Sequence, residues 1–153
     1  MDILDNLPQG KKVIGFSGPK TSGKDTCAAR LLTRNEIEGR DYFRRIAFAG
    51  AIKENCARMF GLTEEEMEVD ALKEKVLERW PYLKPRTILM NEADGLRERY
   101  DGNIHVRAWL RQVSAVGDEC VVVTDLRFPE EVEMIRRMGG AYAMCSARRL
   151  NFG

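Results

Sequence analysis

The run Val13-Ile14-Gly15-Phe16-Ser17-Gly18-Pro19-Lys20-Thr21-Ser22-Gly23-Lys24-Asp25-Thr26 decides the fold. A short apolar strand over 11–17, with Val13, Ile14 and Phe16, runs into a glycine-rich turn. Helical spacing follows over 24–33, with Cys27, Ala28, Leu31 and Leu32 on one side. Gly18, Gly23 and Lys24 have the spacing G-x-x-x-x-G-K, with a strand before and a helix after, the context that a phosphate-binding loop requires. In such a turn successive N–H groups and the helix N-terminus form an anion nest, and the glycines let the main chain come close. Lys24 adds a point charge between the last two phosphates. Gly18, Lys20, Thr21, Ser22, Gly23, Lys24, Asp25 and Thr26 are therefore the candidate phosphate-binding residues. Position 25 departs from the usual Ser or Thr. Its carboxylate is a hard oxygen donor that could hold magnesium directly or through water, with Thr26 as the nearest hydroxyl. The plainer alternative for Asp25 is a first-turn acid favoured by the helix dipole.

Outward from this loop, strands and helices alternate. A second apolar strand is predicted over 44–49, then a helix over 51–60 that stops at Gly61. Thr63-Glu64-Glu65-Glu66 has capping-box spacing and opens a charged helix expected to run through 79. Pro85 suits the first turn of a helix to 100, since its missing N–H is not needed there. A turn at 101–103 precedes a helix over 104–116. The continuous apolar run over 120–124 suits a strand buried on both faces of a parallel sheet. Pro129 starts a helix that ends at Gly139-Gly140, and 141–145 forms a last strand. The pattern predicts an α/β fold with a mainly parallel sheet, in a single domain over 1–153 behind a polar leader at 1–10.

Composition agrees. With 153 residues, 44% hydrophobic and a net charge of +1, the chain has the make-up of one folded domain and not of a disordered one. No apolar run approaches the roughly 18 residues of a membrane span, and Met1-Asp2-Ile3-Leu4-Asp5 does not open a secretory signal. The reading is no membrane partner and a cytoplasmic location (the host cytoplasm for a phage-encoded chain). The balance of 25 basic against 24 acidic residues argues against a nucleic-acid partner. Of the basic residues 17 are arginine, the side chain that grips phosphate in a planar, two-pronged way. Cys27, Cys56, Cys120 and Cys145 form no C-x-x-C pair, so they read as buried, reduced thiols and not as a zinc site or disulfide framework.

A second chemical element stands at the end of the 120–124 strand. Asp125 puts a carboxylate where ligands bind in open α/β sheets, and such an acid can position magnesium beside a phosphate loop. Arg127 brings a guanidinium to the same region. The alternative is that Asp125 caps the following helix with Arg127 as its surface partner.

Taken together these motifs resemble the deoxynucleoside monophosphate kinases of phage and bacterial type. The resemblance rests on the Gly18–Thr26 loop with its Gly-Lys-Asp-Thr ending and on Phe48-Ala49-Gly50-Ala51-Ile52-Lys53 running into Met59-Phe60-Gly61-Leu62. It also rests on Pro85-Arg86-Thr87-Ile88-Leu89-Met90, on Val123-Thr124-Asp125-Leu126-Arg127-Phe128-Pro129-Glu130-Glu131 and on Met138-Gly139-Gly140. It covers 13–147, and its specific parts are the loop ending and the Asp-x-Arg-Phe-Pro block. It implies a P-loop NTPase-like three-layer sandwich. It further implies transfer of the γ-phosphate of ATP, with magnesium, to a deoxynucleoside 5′-monophosphate. By that resemblance residues 18–26 hold ATP and Lys24, Asp125 and Arg127 are catalytic. Asp25, Thr26 and Asp125 are the magnesium candidates, and Ile52, Lys53, Arg86 and Arg127 match positions near the acceptor.

The sequence departs from the family in two places. His105 stands where the family usually has a tryptophan; the plain reading of this single histidine is a partly buried helix residue. The family usually continues with an Arg-bearing lid and a final strand–helix unit, and Arg148 and Arg149 stand where such a lid would begin. Two other readings stay open at this stage: a nucleotide-binding module without turnover, and a P-loop kinase for another phosphorylated small molecule, of phosphomevalonate type. Oligomeric state, monomer or homodimer, is likewise open.

Overall fold

A computed structural model describes residues 3–19, 22–39 and 42–145. The chain divides into two compact units, Met1–Phe48 with Val106–Gly153, and Ala49–His105.

The first unit is built on four parallel strands, β1 (Val13–Ser17), β2 (Phe43–Arg45), β3 (Cys120–Val123) and β4 (Ala141–Met144), in the order β2-β3-β1-β4. β3 pairs on both sides, Phe43↔Cys120 to Arg45↔Val122 with β2, and Val13↔Val121 to Gly15↔Val123 with β1. All four of its residues are buried, as its unbroken apolar sequence requires. Helix α1 (Lys24–Glu38) follows β1. The connections β1 to β2 and β3 to β4 run in opposite directions along the sheet, which makes it doubly wound with a switch point between β1 and β3.

Alternation along the strands divides the core. Val13, Val121 and Val123 join Trp109, Val113, Met134 and Ile135 in one apolar cluster. Trp109 and Val113 come from Ile104–Ala115 and Met134 and Ile135 from Pro129–Arg137, two further helices. Trp109 packs on Phe48, with ring centroids 4.8 Å apart, and satisfies its indole N–H on the Ile46 carbonyl at 2.9 Å. The expected polar leader contributes to this core. Ile3–Asn6 form a 3-10 turn, Leu7 is buried, and Ile3 and Leu4 pack on the cluster. Three apolar side chains among acids read as polar by composition but bury as one face.

The strand expected over 44–49 is shorter. Ile46 N–H still bonds to Val122 O at 3.1 Å, but Phe48 N–H turns to the Asp125 carboxylate at 3.0 Å, which ends the pairing.

The second unit carries α2 (Gly50–Phe60), α3 (Glu64–Glu68), α4 (Asp70–Lys73) and α5 (Pro85–Arg99) around Ile52, Cys56, Leu62, Met67, Leu77 and Ile88. In chain order α6 is Ile104–Ala115 and α7 is Pro129–Arg137. The capping box forms as the sequence predicts: Thr63 Oγ1 accepts from Glu66 N–H, and Glu66 accepts from Thr63 N–H at 2.9 Å. The helix expected to continue to 79 instead breaks at Val69 (φ −83, ψ 120) and ends at Lys73. A continuous helix turns by about 100° per residue, which would set Trp80 about 140° away from Met67. Breaking the chain lets Met67, Leu77 and Trp80 reach one core, where Trp80 donates to Phe60 O at 2.7 Å.

Two thiols depart from the expected burial. Cys56 and Cys120 are buried, and burial raises both above the usual thiol range, but Cys27 is exposed and Cys145 half-buried. Cys27 follows the loop on the first, solvated turn of α1, and Cys145 follows the edge strand β4.

Candidate active site

In the first unit the end of β1 leads directly into the glycine turn. Gly18 has φ +151, and a Cβ there would stand 2.3 Å from Cys145 O and 2.5 Å from Ser22 Oγ. Only glycine fits such a position. Gly23, at φ +88, caps α1, and its carbonyl receives Cys27 N–H at 2.9 Å. Ser22 N–H closes the turn on Pro19 O at 3.1 Å. Lys24 folds back over the turn and donates to Gly18 O at 3.2 Å. Its ammonium therefore rests on a neutral carbonyl, and among the described residues no carboxylate lies within ion-pair distance of it. Ser22 Oγ is buried with no hydrogen-bond partner among the described residues. A buried hydroxyl at a helix N-terminus is a donor suited to an anion. Lys20 and Thr21 lie outside the described residues, as do Arg148 and Arg149.

The register Gly15↔Val123 brings the end of β3 alongside the start of this turn. Asp125 there accepts Phe48 N–H, so its carboxylate is oriented by the backbone that follows β2. The N-terminus of the next helix is closed by Glu131, which accepts from Arg127 N–H at 2.8 Å and Phe128 N–H at 3.1 Å. Burial pushes the Glu131 carboxyl above the usual range despite these donors. Arg127 is exposed and lines a groove of about 550 Å³ with Ser17, Phe128, Arg136, Tyr142 and Met144. Ser17 Oγ and Tyr142 OH are bonded across its floor at 2.7 Å.

Asp25 and Thr26 are exposed in the first turn of α1. Among the described residues no cluster of three or more His, Cys, Asp or Glu could hold a metal alone. Magnesium in general keeps several waters and binds through one or two carboxylates plus substrate phosphates, so it does not require such a cluster. Sequence reasoning missed Arg45, at the end of β2. Its Nη2 donates to Asp25 Oδ1 at 3.2 Å and to Thr124 Oγ1 at 2.8 Å. The pair Arg44-Arg45 on a strand was the available signal, because neighbouring residues point to opposite faces. Arg44 accordingly pairs with Glu119 at 3.6 Å instead.

In the second unit, Ile52 is buried in the core. Lys53 is paired with Glu68. Arg86, in the first turn of α5, is paired with Glu74 and stands 3.9 Å from Asp70, while Lys84 reaches Glu74 at 3.7 Å. The hydrogen bond from Arg86 holds the Glu74 carboxyl below the usual range. His105 is a half-buried helix residue, as its plain reading had it; burial lowers its pKa, and Nε2 lies 3.3 Å from Ala93 O.

A parallel sheet wound in both directions, with a glycine turn running into a helix at its switch point, defines an α/β sandwich of the P-loop NTPase-like kind. No protein-family model matches the chain. A protein of Acanthamoeba polyphaga mimivirus, named "Putative deoxynucleotide monophosphate kinase", is 31% identical over 141 residues, spanning 84% of this chain and 70% of its own. The chain belongs to that family of nucleotide kinases. No helix among its described residues is long and apolar enough to cross a membrane.

Proposed function

We propose that the chain transfers the γ-phosphate of ATP to a deoxynucleoside 5′-monophosphate, as in the phage and bacterial type of the family, and acts in the cytoplasm on small nucleotides. The observation that carries this reading is the glycine turn, where among the described residues the buried Ser22 hydroxyl has no hydrogen-bond partner and Lys24 no carboxylate within ion-pair distance. A phosphate oxygen of the acceptor attacks the γ-phosphorus, the bond to the β–γ bridging oxygen breaks, and ADP leaves with that electron pair. The acceptor is already an oxyanion, so no general base is required. The problem is to bring two anions together, which calls for fixed cations.

Lys24 supplies charge at the transferred group, and backbone N–H groups of 18–26 hold the donor phosphates. For the acceptor, the family resemblance proposes Arg127, Lys53 and Arg86, each taken by itself. Asp25, Thr26 and Asp125 would hold magnesium, which when bound neutralises charge on the phosphate oxygens. Incubation with magnesium-ATP and each of the four deoxynucleoside monophosphates should yield a diphosphate from at least one. No turnover with any of them overturns the reading.

A further inference from the structure

The loop presents an electrostatic problem. It is shaped to attract anions, yet it carries a carboxylate at Asp25, directly after its lysine. Alone, Asp25 would cancel the charge of Lys24 towards an incoming polyphosphate.

Arg45 meets this problem from outside the motif. One nitrogen, Nη2, reaches both Asp25 Oδ1 and Thr124 Oγ1. Thr124 is only 3% exposed and is the buried polar residue of the described core. A buried hydroxyl needs a partner, so Arg45 is anchored by more than its attraction to Asp25. Thr124 also joins β3 to Asp125, which ties the arginine to the strand end beside the loop. Stability does not account for the pair: the side chains are 46% and 66% exposed, and exposed ion pairs contribute little.

We propose that Arg45 is a positioning residue of the anion-binding loop: it carries the counter-charge for Asp25 and, anchored on Thr124, holds that carboxylate against the end of β3. This leaves the charge of Lys24 available to phosphate. The inference rests on the phosphate-binding role proposed for 18–26, but it concerns how the loop tolerates an acid, not which reaction follows.

The test uses the full chain and sodium tripolyphosphate, an anion without a nucleoside, in magnesium-free, low-salt buffer, with binding read by calorimetry. Arg45→Ala should weaken binding about five- to tenfold, the scale of one uncompensated charge near the ligand. Asp25→Asn should bind at least as tightly as the unaltered chain. The double variant Arg45→Ala/Asp25→Asn should return to within about twofold of Asp25→Asn, because the arginine acts through the carboxylate. Arg45→Gln keeps a donor for Thr124 while removing the charge, and replaces Arg45→Ala in the cycle if that variant does not fold.

Unchanged binding on loss of Arg45 overturns the proposal. So does a double variant as weak as the single one, which would mean that Arg45 grips the anion itself. Failure of the unaltered chain to bind tripolyphosphate also overturns it. If the cycle behaves as expected but no deoxynucleoside diphosphate forms, the kinase reading alone falls.

Discussion

Lys24 and Arg86 are both cations proposed to meet phosphate, and the two units treat them in opposite ways. Lys24 lies over a neutral carbonyl in a turn whose backbone is set by glycine and by the strand before it. Arg86 sits on a helix start, with Glu74 on its guanidinium and Asp70 at 3.9 Å. A cation held by a carbonyl keeps its charge for a ligand. One held by carboxylates must exchange an internal anion for an external one, so part of the attraction is already spent. If both cations meet phosphate as proposed, the first unit would bind it outright and the second by competition.

The most drastic way to break this comparison is to remove the cation that rests on the carbonyl. Lys24→Ala should lower the rate of deoxynucleoside diphosphate formation by about 10²–10³-fold, as loss of a preorganised charge-stabilising donor does elsewhere. The fold should persist, since among the described residues the side chain bonds only to Gly18 O, and circular dichroism would check that. Next comes the turn beneath it. Gly18→Ala forces a Cβ against Cys145 O at a φ that L-residues avoid, and should cost about 1–3 kcal/mol in thermal unfolding. Tripolyphosphate binding should be lost with it.

On the other side, Glu74→Gln removes the carboxylate that competes for Arg86. The acceptor KM should fall about two- to threefold, a modest effect because the pair is exposed and screened by solvent. A rise in KM would mean that Glu74 holds Arg86 in place instead of competing with the acceptor.

The smallest effect separates the units by pH. Glu66 and Glu131 both close helix N-termini, but the Arg79 hydrogen bond lowers the Glu66 carboxyl, whereas burial raises that of Glu131. Stability from Glu66 is present above the ordinary carboxyl value and lost as pH falls through its lowered one. Stability from Glu131 is present below the ordinary value and lost as pH rises through its raised one. Melting curves against pH should therefore show the unaltered chain gaining on Glu66→Gln as pH rises, and losing against Glu131→Gln. Differences of the same sign would refute the contrast.

Much of this was legible in the sequence, for local reasons. The turn at 18–26, the capping box at Thr63, the proline helix starts at 85 and 129 and the buried strand from 120 are each written in a few consecutive residues. The break at Val69 was not. Charge pattern and capping favour a helix there, and only the need for Met67, Leu77 and Trp80 to share a core ends it. Arg45 was hidden for a related reason. Its meaning lies in Asp25 and Thr124, which are 20 and 79 residues away.

The sequence by itself determined the parallel α/β architecture and the glycine turn with its lysine, because strand hydrophobicity and backbone conformation are set by near neighbours. Tertiary structure alone decided which charges answer one another: Arg45 with Asp25, Asp125 with the backbone of Phe48, and Arg86 with Glu74 and Asp70. Coulombic and hydrogen-bond partners are chosen by distance in space, and only the folded chain sets those distances.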